Sequence, residues 1–207
     1  YERNKEAADS ESKEVFLCKN TDKICIFTNK GQLHMLKVLD LPYGKFRDKG
    51  QPIDNVSNYD SSQETCVYLA PLRKLIGQKL LFGTASAMMK QVDGSEFDVS
   101  KRTTAATKLA NDDEVIFIKT LSRQQEQETV IMQSEKGMFL RIEASSVPEK
   151  KKMAIGVRGM RLAENDRLTH IYLLEAEAEL TEADYEPAKV VLNRLHIGSR
   201  DTKGVKR

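Results

Sequence analysis

Net charge is almost absent from this sequence: 33 basic residues stand against 31 acidic ones, a balance of +2. Bulk electrostatics therefore points to no partner, and any polyanion site has to come from local clustering. Cysteine is scarce as well. Cys18, Cys25 and Cys66 are odd in number, form no CxxC and lie in apolar runs, the pattern of buried structural thiols in a reducing compartment rather than of a disulfide framework. No apolar run approaches the roughly 18 residues that cross a bilayer, and no charged-then-apolar leader opens the chain, so a soluble cytoplasmic protein without a membrane partner is expected. Tryptophan is missing altogether and aromatics make up 6%. His34, His170 and His196 are isolated, without metal-ligand spacing to Cys or to one another, and structural or surface roles suit them better than ligation. No GxSxG, Walker loop or nucleophile–base pair is present, so neither a catalytic nor a metal site is expected.

What the sequence does have is internal repetition. LANDDEVIFIKTL from Leu109 and LAENDRLTHIYLL from Leu162 align without a gap, 53 residues apart. Gly31 and Gly137, each eleven residues before a proline, lie 106 apart, twice that period, and TASAMMKQVDGSEF between them places Ala87 where the glycine belongs. A third landmark, GQPI from Gly50, ATKL from Ala106 and GMRL from Gly159, runs through all three units. A fourth unit, from about Arg167 to Arg207, is partial. The chain opens at Tyr1 with the polar stretch EAADSESKE close behind, so residues 1–13 read as a linker or the start of an excised segment, and 14–207 as one domain.

Each unit reads as strands. ICIFT and LHMLKVL are rich in β-branched and apolar residues and are joined by NKG, in which glycine supplies the positive φ of a hairpin. VIMQSEKGMFLRI repeats this grammar, and LFGTASAMMKQV is the weaker copy, because Ala87 enters a left-handed turn less readily than glycine. LLEAEAELTEADYE is acidic and reads as a surface helix or a solvated excursion, the latter favoured. Repeats of about 50 residues with about four strands each indicate propeller blades, packed through the runs ICIF, CVYL, VIFI and IYLL. Without tryptophan, a GH…WD pattern or a kelch glycine pair, the two commonest propeller classes are disfavoured. The ring is either closed by the N-terminal segment VFLCK or left open.

FTNKGQLHMLKVLDLP with KFRDKGQPI, then TASAMMKQVDGSEF, AIGVRGMRLAENDRL and RLHIGSRDTKGVKR, resemble in order and phase the C-terminal domain of the A subunit of bacterial type IIA topoisomerases. The likeness covers nearly the whole chain. It implies an all-β, hairpin-invaded β-propeller (β-pinwheel) of about four blades, the last incomplete or open, that bends double-stranded DNA around a basic outer rim. The catalytic tyrosine, strand-breaking metal site and ATPase of that family lie outside this domain. Tyr43, Tyr59, Tyr68, Tyr172 and Tyr185 are accordingly structural or rim residues, and no cofactor is expected here, ATP and Mg2+ being used elsewhere in the parent. The implied partners are the N-terminal catalytic part of the same polypeptide and an ATPase B subunit, in an A2B2 heterotetramer on the bacterial nucleoid. Gyrase A subunits carry a box of the type QRRGGRG. None occurs in this sequence, which favours a topoisomerase IV-like parent that decatenates and relaxes DNA over gyrase with a degenerate box. A protein-interaction propeller is the remaining alternative.

Basic residues cluster at one phase of the repeat: Lys45, Arg47 and Lys49; Lys101, Arg102 and Lys108; Lys150, Lys151, Lys152, Arg158 and Arg161; and Arg200, Lys203, Lys206 and Arg207. Any one cluster alone reads as a solvated loop. Four in phase form an arc of cations around a propeller, the array that phosphates can follow. Acidic residues concentrate elsewhere, at Asp112–Glu114 and Glu175–Glu186. The recurring NDDE and END turns read as turn and strand-start residues, and no recognition helix for the major groove is apparent.

Overall fold

Short runs of β-branched, aromatic and aliphatic side chains favour extended backbone that is buried on at least one face, and most such runs among the described residues become strands. The computed structural model describes residues 14–45, 47–122, 128–175 and 191–207. Within them lie β1 (Lys23–Thr28), β2 (Gln32–Lys37), β3 (Cys66–Pro71), β4 (Lys79–Thr84), β5 (Met88–Asp93), β6 (Thr103–Ala105), β7 (Val115–Thr120), β8 (Glu128–Ser134), β9 (Met138–Glu143), β10 (Val157–Arg158), β11 (Leu168–Glu175) and β12 (Val205–Lys206).

Three hairpins, β1–β2, β4–β5 and β8–β9, share one turn. Gly31, Ala87 and Gly137 have φ of 72°, 62° and 77°, and each N–H donates back to the carbonyl three residues earlier, on Thr28, Thr84 and Ser134. The hydroxyls of the same Thr28, Thr84 and Ser134 accept from the backbone N–H of Gln32, Met88 and Met138. Ala87 thus takes up the left-handed conformation that the repeat demands of it.

The hairpins build three antiparallel four-stranded sheets, in the orders β3-β1-β2-β6, β7-β4-β5-β10 and β11-β8-β9-β12. In each, the fourth strand belongs to the following sequence unit: β6 comes after the second hairpin but completes the first sheet, and β10 comes after the third hairpin but completes the second. This is the strand exchange of a hairpin-invaded propeller. An identical hydrogen bond secures each exchange, from Ala106, Gly159 and Arg207 N–H to the carbonyl of the turn residue Gly31, Ala87 or Gly137. Each sheet also has a register irregularity at one place, Phe27/Thr28, Gly83/Thr84 and Leu168/His170, where the third strand meets the hairpin tip.

Alternation along the strands sends side chains into two seams. Phe27, Leu33 and Met35 of the first sheet meet Leu80, Phe82 and Val115 of the second, with Phe27 edge-on to Phe82 at 6.2 Å and to Phe97 at 5.0 Å. Leu81, Met89 and Phe117 turn the other way, onto Val130, Met132 and Ile171 of the third sheet. The outer face of the first sheet is covered by Phe16, Ile53, Val56 and Tyr59, that of the third by Leu192 and Leu195. Full burial of such a side chain contributes about 1.5–3 kcal/mol.

Several expectations need correction. Val15–Lys19 forms no strand; Phe16 packs on the first sheet while Val15 and Leu17 stay exposed, so this segment closes no ring. The fourth unit builds no sheet of its own among the described residues, because its strands β11 and β12 complete the third sheet. Leu173, Leu174 and Glu175, read as the start of an acidic excursion, are the end of β11; the remainder of that stretch, including Tyr185, and residues 1–13 lie outside the described residues. Of the cysteines only Cys25 is buried; Cys18 and Cys66 are exposed, and all three are free thiols. Cys66 is at the first, edge position of β3, where an apolar run does not yet mean a core.

Gly31→Ala is expected to lower stability by about 1–2 kcal/mol from the left-handed backbone alone. A further loss follows because the new Cβ would lie 3.1 Å from Thr107 Cγ2 and 3.2 Å from its carbonyl. Gly137→Ala should cost less, its Cβ meeting only the Arg207 carbonyl at 3.4 Å. Urea denaturation midpoints at unchanged m-value check the order, and equal losses would contradict it.

Candidate nucleic-acid interface

The third strands converge, β3 packing on β7 and β7 on β11, which leaves the fourth strands β6, β10 and β12 on the opposite, outward edge. Register places Ala105 opposite Gln32, Arg158 opposite Met88 and Lys206 opposite Met138, in each case the residue after the left-handed turn. Arg158 and Lys206 therefore occupy equivalent positions on successive outer edges. Lys108 and Arg161, each two residues past the anchoring N–H of Ala106 or Gly159, are equivalent in the same way.

The segments leading into these strands dock alike. Met35 N–H donates to the Arg102 carbonyl and Gln91 N–H to the Pro148 carbonyl, while Lys150 and Gly198 N–H donate to the carbonyls of Gln91 and Arg141. Met35, Gln91 and Arg141 each follow their turn residue by four positions. Lys101 and Arg102, the 150–152 turn and the 198–200 segment thus line one edge, sheet after sheet. The first cluster differs: Lys45, Arg47 and Lys49 are in an exposed loop that leads to the one-turn helix Ile53–Val56, and no sheet before the first receives it among the described residues.

The predicted cations are not equally free. Lys45, Arg47, Lys49, Lys101, Lys108, Lys150, Lys203 and Lys206 are exposed and make no ion pair with another described residue. Arg102 pairs with Asp40 at 3.5 Å, and Arg158 and Arg161 share Asp201 at 3.4 and 3.6 Å. Arg200 donates to the Arg158 carbonyl. Pairs this exposed contribute about 0–1 kcal/mol, so they orient the guanidiniums without sequestering them. Lys151 is 87% exposed despite its contact with Glu96. Lys152 is half-buried, and its Nζ donates to the Glu96 carbonyl.

Two charged residues of this region, both within TASAMMKQVDGSEF, were not among the predicted site residues. Lys90, in the middle of β5, is 1% exposed and donates to the carbonyls of Lys151, Lys152 and Ala154 at 3.4, 2.6 and 2.6 Å. The Glu96 carboxylate accepts from Lys152 N–H at 2.9 Å. The one available signal was a lysine at an inward position, equivalent to His34 and Leu140 three residues past their turns.

The acidic residues serve the opposite function. Asp113 Oδ1 accepts from the N–H groups of Ser86 and Glu114, and Asp166 Oδ1 from those of Lys136 and Arg167. The repeated turn thus ties β7 and β11 each to a hairpin tip, as its reading as a strand start implied. Glu114 continues the tie between sheets, accepting from Asn29 at 3.2 Å and from Arg167 at 2.7 Å. His34 is buried, its Nε2 2.5 Å from Glu64 and its Nδ1 3.0 Å from Thr103 Oγ1, a structural site joining β2 to β6. His170 stacks on Tyr172 at 6.0 Å, and His196 is exposed. Tyr59 is buried, and Tyr43 is fully exposed in the loop of the first basic cluster. Among the described residues no helix is long and apolar enough to cross a membrane.

Comparison with known proteins places these features. The DNA gyrase C-terminal domain, beta-propeller family matches residues 78–122 and 128–175, the second and third hairpins with their third strands. The DNA gyrase A protein of Escherichia coli is 28% identical over 89% of this chain and 21% of its own length; that of Chlamydia muridarum is 31% identical over 72% and 18%. The chain spans about a fifth of the length of the curated relatives it matches. A crystal structure of the C-terminal domain of DNA topoisomerase IV superposes with a TM-score of 0.77 at 21% identity, covering 99% of this chain and 67% of that one, a likeness of fold.

Asp113→Ala and Asp166→Ala are each expected to cost about 1–2 kcal/mol, since each removes two backbone hydrogen bonds to a carboxylate. The two losses should agree within experimental error because the geometry repeats. Thermal unfolding of the single variants measures this, and a neutral result for either would show that the turn holds without its side chain.

Proposed function

The chain belongs to the C-terminal β-propeller domain family of DNA gyrase A proteins, and from that premise we propose that it binds and bends duplex DNA on its outward edge, without catalytic residues of its own. The observation that carries this reading is the equivalence of Arg158 with Lys206, and of Lys108 with Arg161, on successive sheets. Cations repeated at one register position follow a phosphate backbone from sheet to sheet. Among the described residues no element offers a helix to the major groove, so binding is backbone-led, with DNA bendability setting any preference. In the proposed site Lys45, Arg47, Lys49, Lys101, Arg102, Lys108, Lys150, Lys151, Arg158, Arg161, Arg200, Lys203 and Lys206 face phosphate, and Lys152 supports the turn that presents its neighbours. Residues 14–207 act as the single DNA-binding domain, and 1–13 as a linker.

The parent would be a cytoplasmic, nucleoid-associated type IIA topoisomerase in which two A and two B chains, the latter carrying the ATPase, form an A2B2 heterotetramer, with ATP and Mg2+ used outside this domain. The missing QRRGGRG box favours a topoisomerase IV-like parent that decatenates and relaxes. Gyrase is the second reading, because the curated relatives above are gyrase A proteins.

Duplex binding by the 207-residue chain should weaken as salt rises, with a log–log slope of about 0.9 per phosphate contacted. Lys150→Glu, Lys151→Glu and Arg161→Glu combined should reduce affinity at least about tenfold and flatten that slope by about two to three contacts. Unchanged affinity in the triple variant would remove the edge assignment. For the parent, a topology assay with the domain in place is expected to give decatenation without introduction of negative supercoils; net supercoiling would establish the gyrase reading instead.

A further inference from the structure

The most heavily engaged side chain near the outward edge is one that cannot reach DNA. Lys90 Nζ has three hydrogens and three carbonyl acceptors, all from the turn that carries Lys150–Lys152. Its ammonium also lies 5.5 Å from the centre of the Phe82 ring, a cation–π contact inside the core. At the same turn Glu96 accepts from Lys152 N–H and forms an ion pair with Lys151. The turn is thereby held between a buried cation that takes its carbonyls and a carboxylate that takes an N–H. Three carbonyls converging on one point repel one another unless a cation lies between them, and their alternative partner is water, from which this site is screened.

Resting on the DNA-binding reading above, we propose that Lys90 is a positioning residue: its buried ammonium fixes the backbone of the 150–154 turn so that Lys150 and Lys151 project from the edge toward phosphate, and duplex affinity depends on its charge. The ionisable groups facing it are Glu96 from the 3-10 turn Gly94–Phe97 and Lys151 and Lys152 from the turn itself. Burial pushes the Lys90 ammonium down to about 8, with the Glu96 carboxylate pulling it back up. An exposed lysine titrates near 10.4, so the buried site holds the charged form at a cost that its three carbonyl acceptors and the Phe82 face only partly offset.

The test uses the 207-residue chain, a duplex of fixed length at constant ionic strength, and hydrogen exchange of residues 150–154. Lys90→Met keeps the length and removes the charge; it should speed exchange in the turn about tenfold and weaken duplex binding about threefold to tenfold, with Lys90→Arg restoring part of both. Should Lys90→Met fail to fold, Lys90→Gln, which keeps a polar head but no charge, is measured in its place, with a loss in both readouts again expected. Unchanged exchange and affinity in the uncharged variant would overturn the proposal. Failure of the DNA-binding reading looks different: the wild-type chain itself would show no salt-dependent duplex binding, while exchange in the turn still responded to Lys90.

Discussion

One hydrogen bond, made three times, organises this molecule. The N–H of Ala106, Gly159 or Arg207 reaches the carbonyl of Gly31, Ala87 or Gly137, and in doing so fixes a strand from one sequence unit on the edge of the preceding unit's sheet. No unit can complete its own sheet, because its fourth strand has to come from further along the chain. The left-handed backbone at the turn is part of the same constraint, since it aims the carbonyl outward to the arriving strand. Short strands of two or three residues would not persist alone. They are held because the turn that receives them is rigid and because the third strand of the same unit is anchored one sheet away.

Strand exchange also explains how charge is distributed in a chain with almost no net charge. The segment that crosses between sheets is exposed and carries the basic residues, whereas the segment that enters the third strand needs carboxylates to cap hairpin-tip N–H groups, as Asp113 and Asp166 do. Cations therefore concentrate at the outward edge, where Asp40, Asp201 and Glu96 offset part of the charge, and carboxylates gather at the hairpin tips. Asn29, Glu114 and Arg167 continue the acidic side as a polar chain across all three sheets. The two signs are separated by topology, so a composition that cancels overall is polarised locally, which is the arrangement that attracts a polyanion to one surface.

The repeat made much of this legible in advance. Gly31, Ala87 and Gly137 marked the hairpins, and the in-phase glycine or alanine of the third landmark turned out to be the residue that donates the anchoring N–H at Ala106 and Gly159. What the sequence could not reveal has physical reasons. Strands of two or three residues such as Val157–Arg158 and Val205–Lys206 are too short to show a period. Residues 53–59 and 191–197 cover the ends of the stack by irregular packing, a role with no repeating pattern, and this is why a partial fourth unit read as a fourth blade. Lys90 broke the alternation of a buried strand, but a single charged residue in such a run is usually assigned to the solvent face. Only its three carbonyl partners, some sixty residues further along the chain, show why it turns inward.

Lys90 and His34 make the last connection. They occupy the same position in successive sheets, three residues past the hairpin turn, and both are buried polar groups tied to a segment from the next unit: His34 to Thr103 on β6, and Lys90 to the turn before β10. In the third sheet the position is Leu140, apolar, and there the task passes to its neighbour Arg141, which holds the carbonyls of Asn193 and Leu195. At each sheet, then, a basic or imidazole side chain on the second strand restrains the crossing segment from beneath while the recurrent N–H restrains it from the end. A crossing segment fixed at two points has a defined course over the outer edge. Under the proposed backbone-led reading, the spacing between successive cations matters more than their number, and these three side chains would set it.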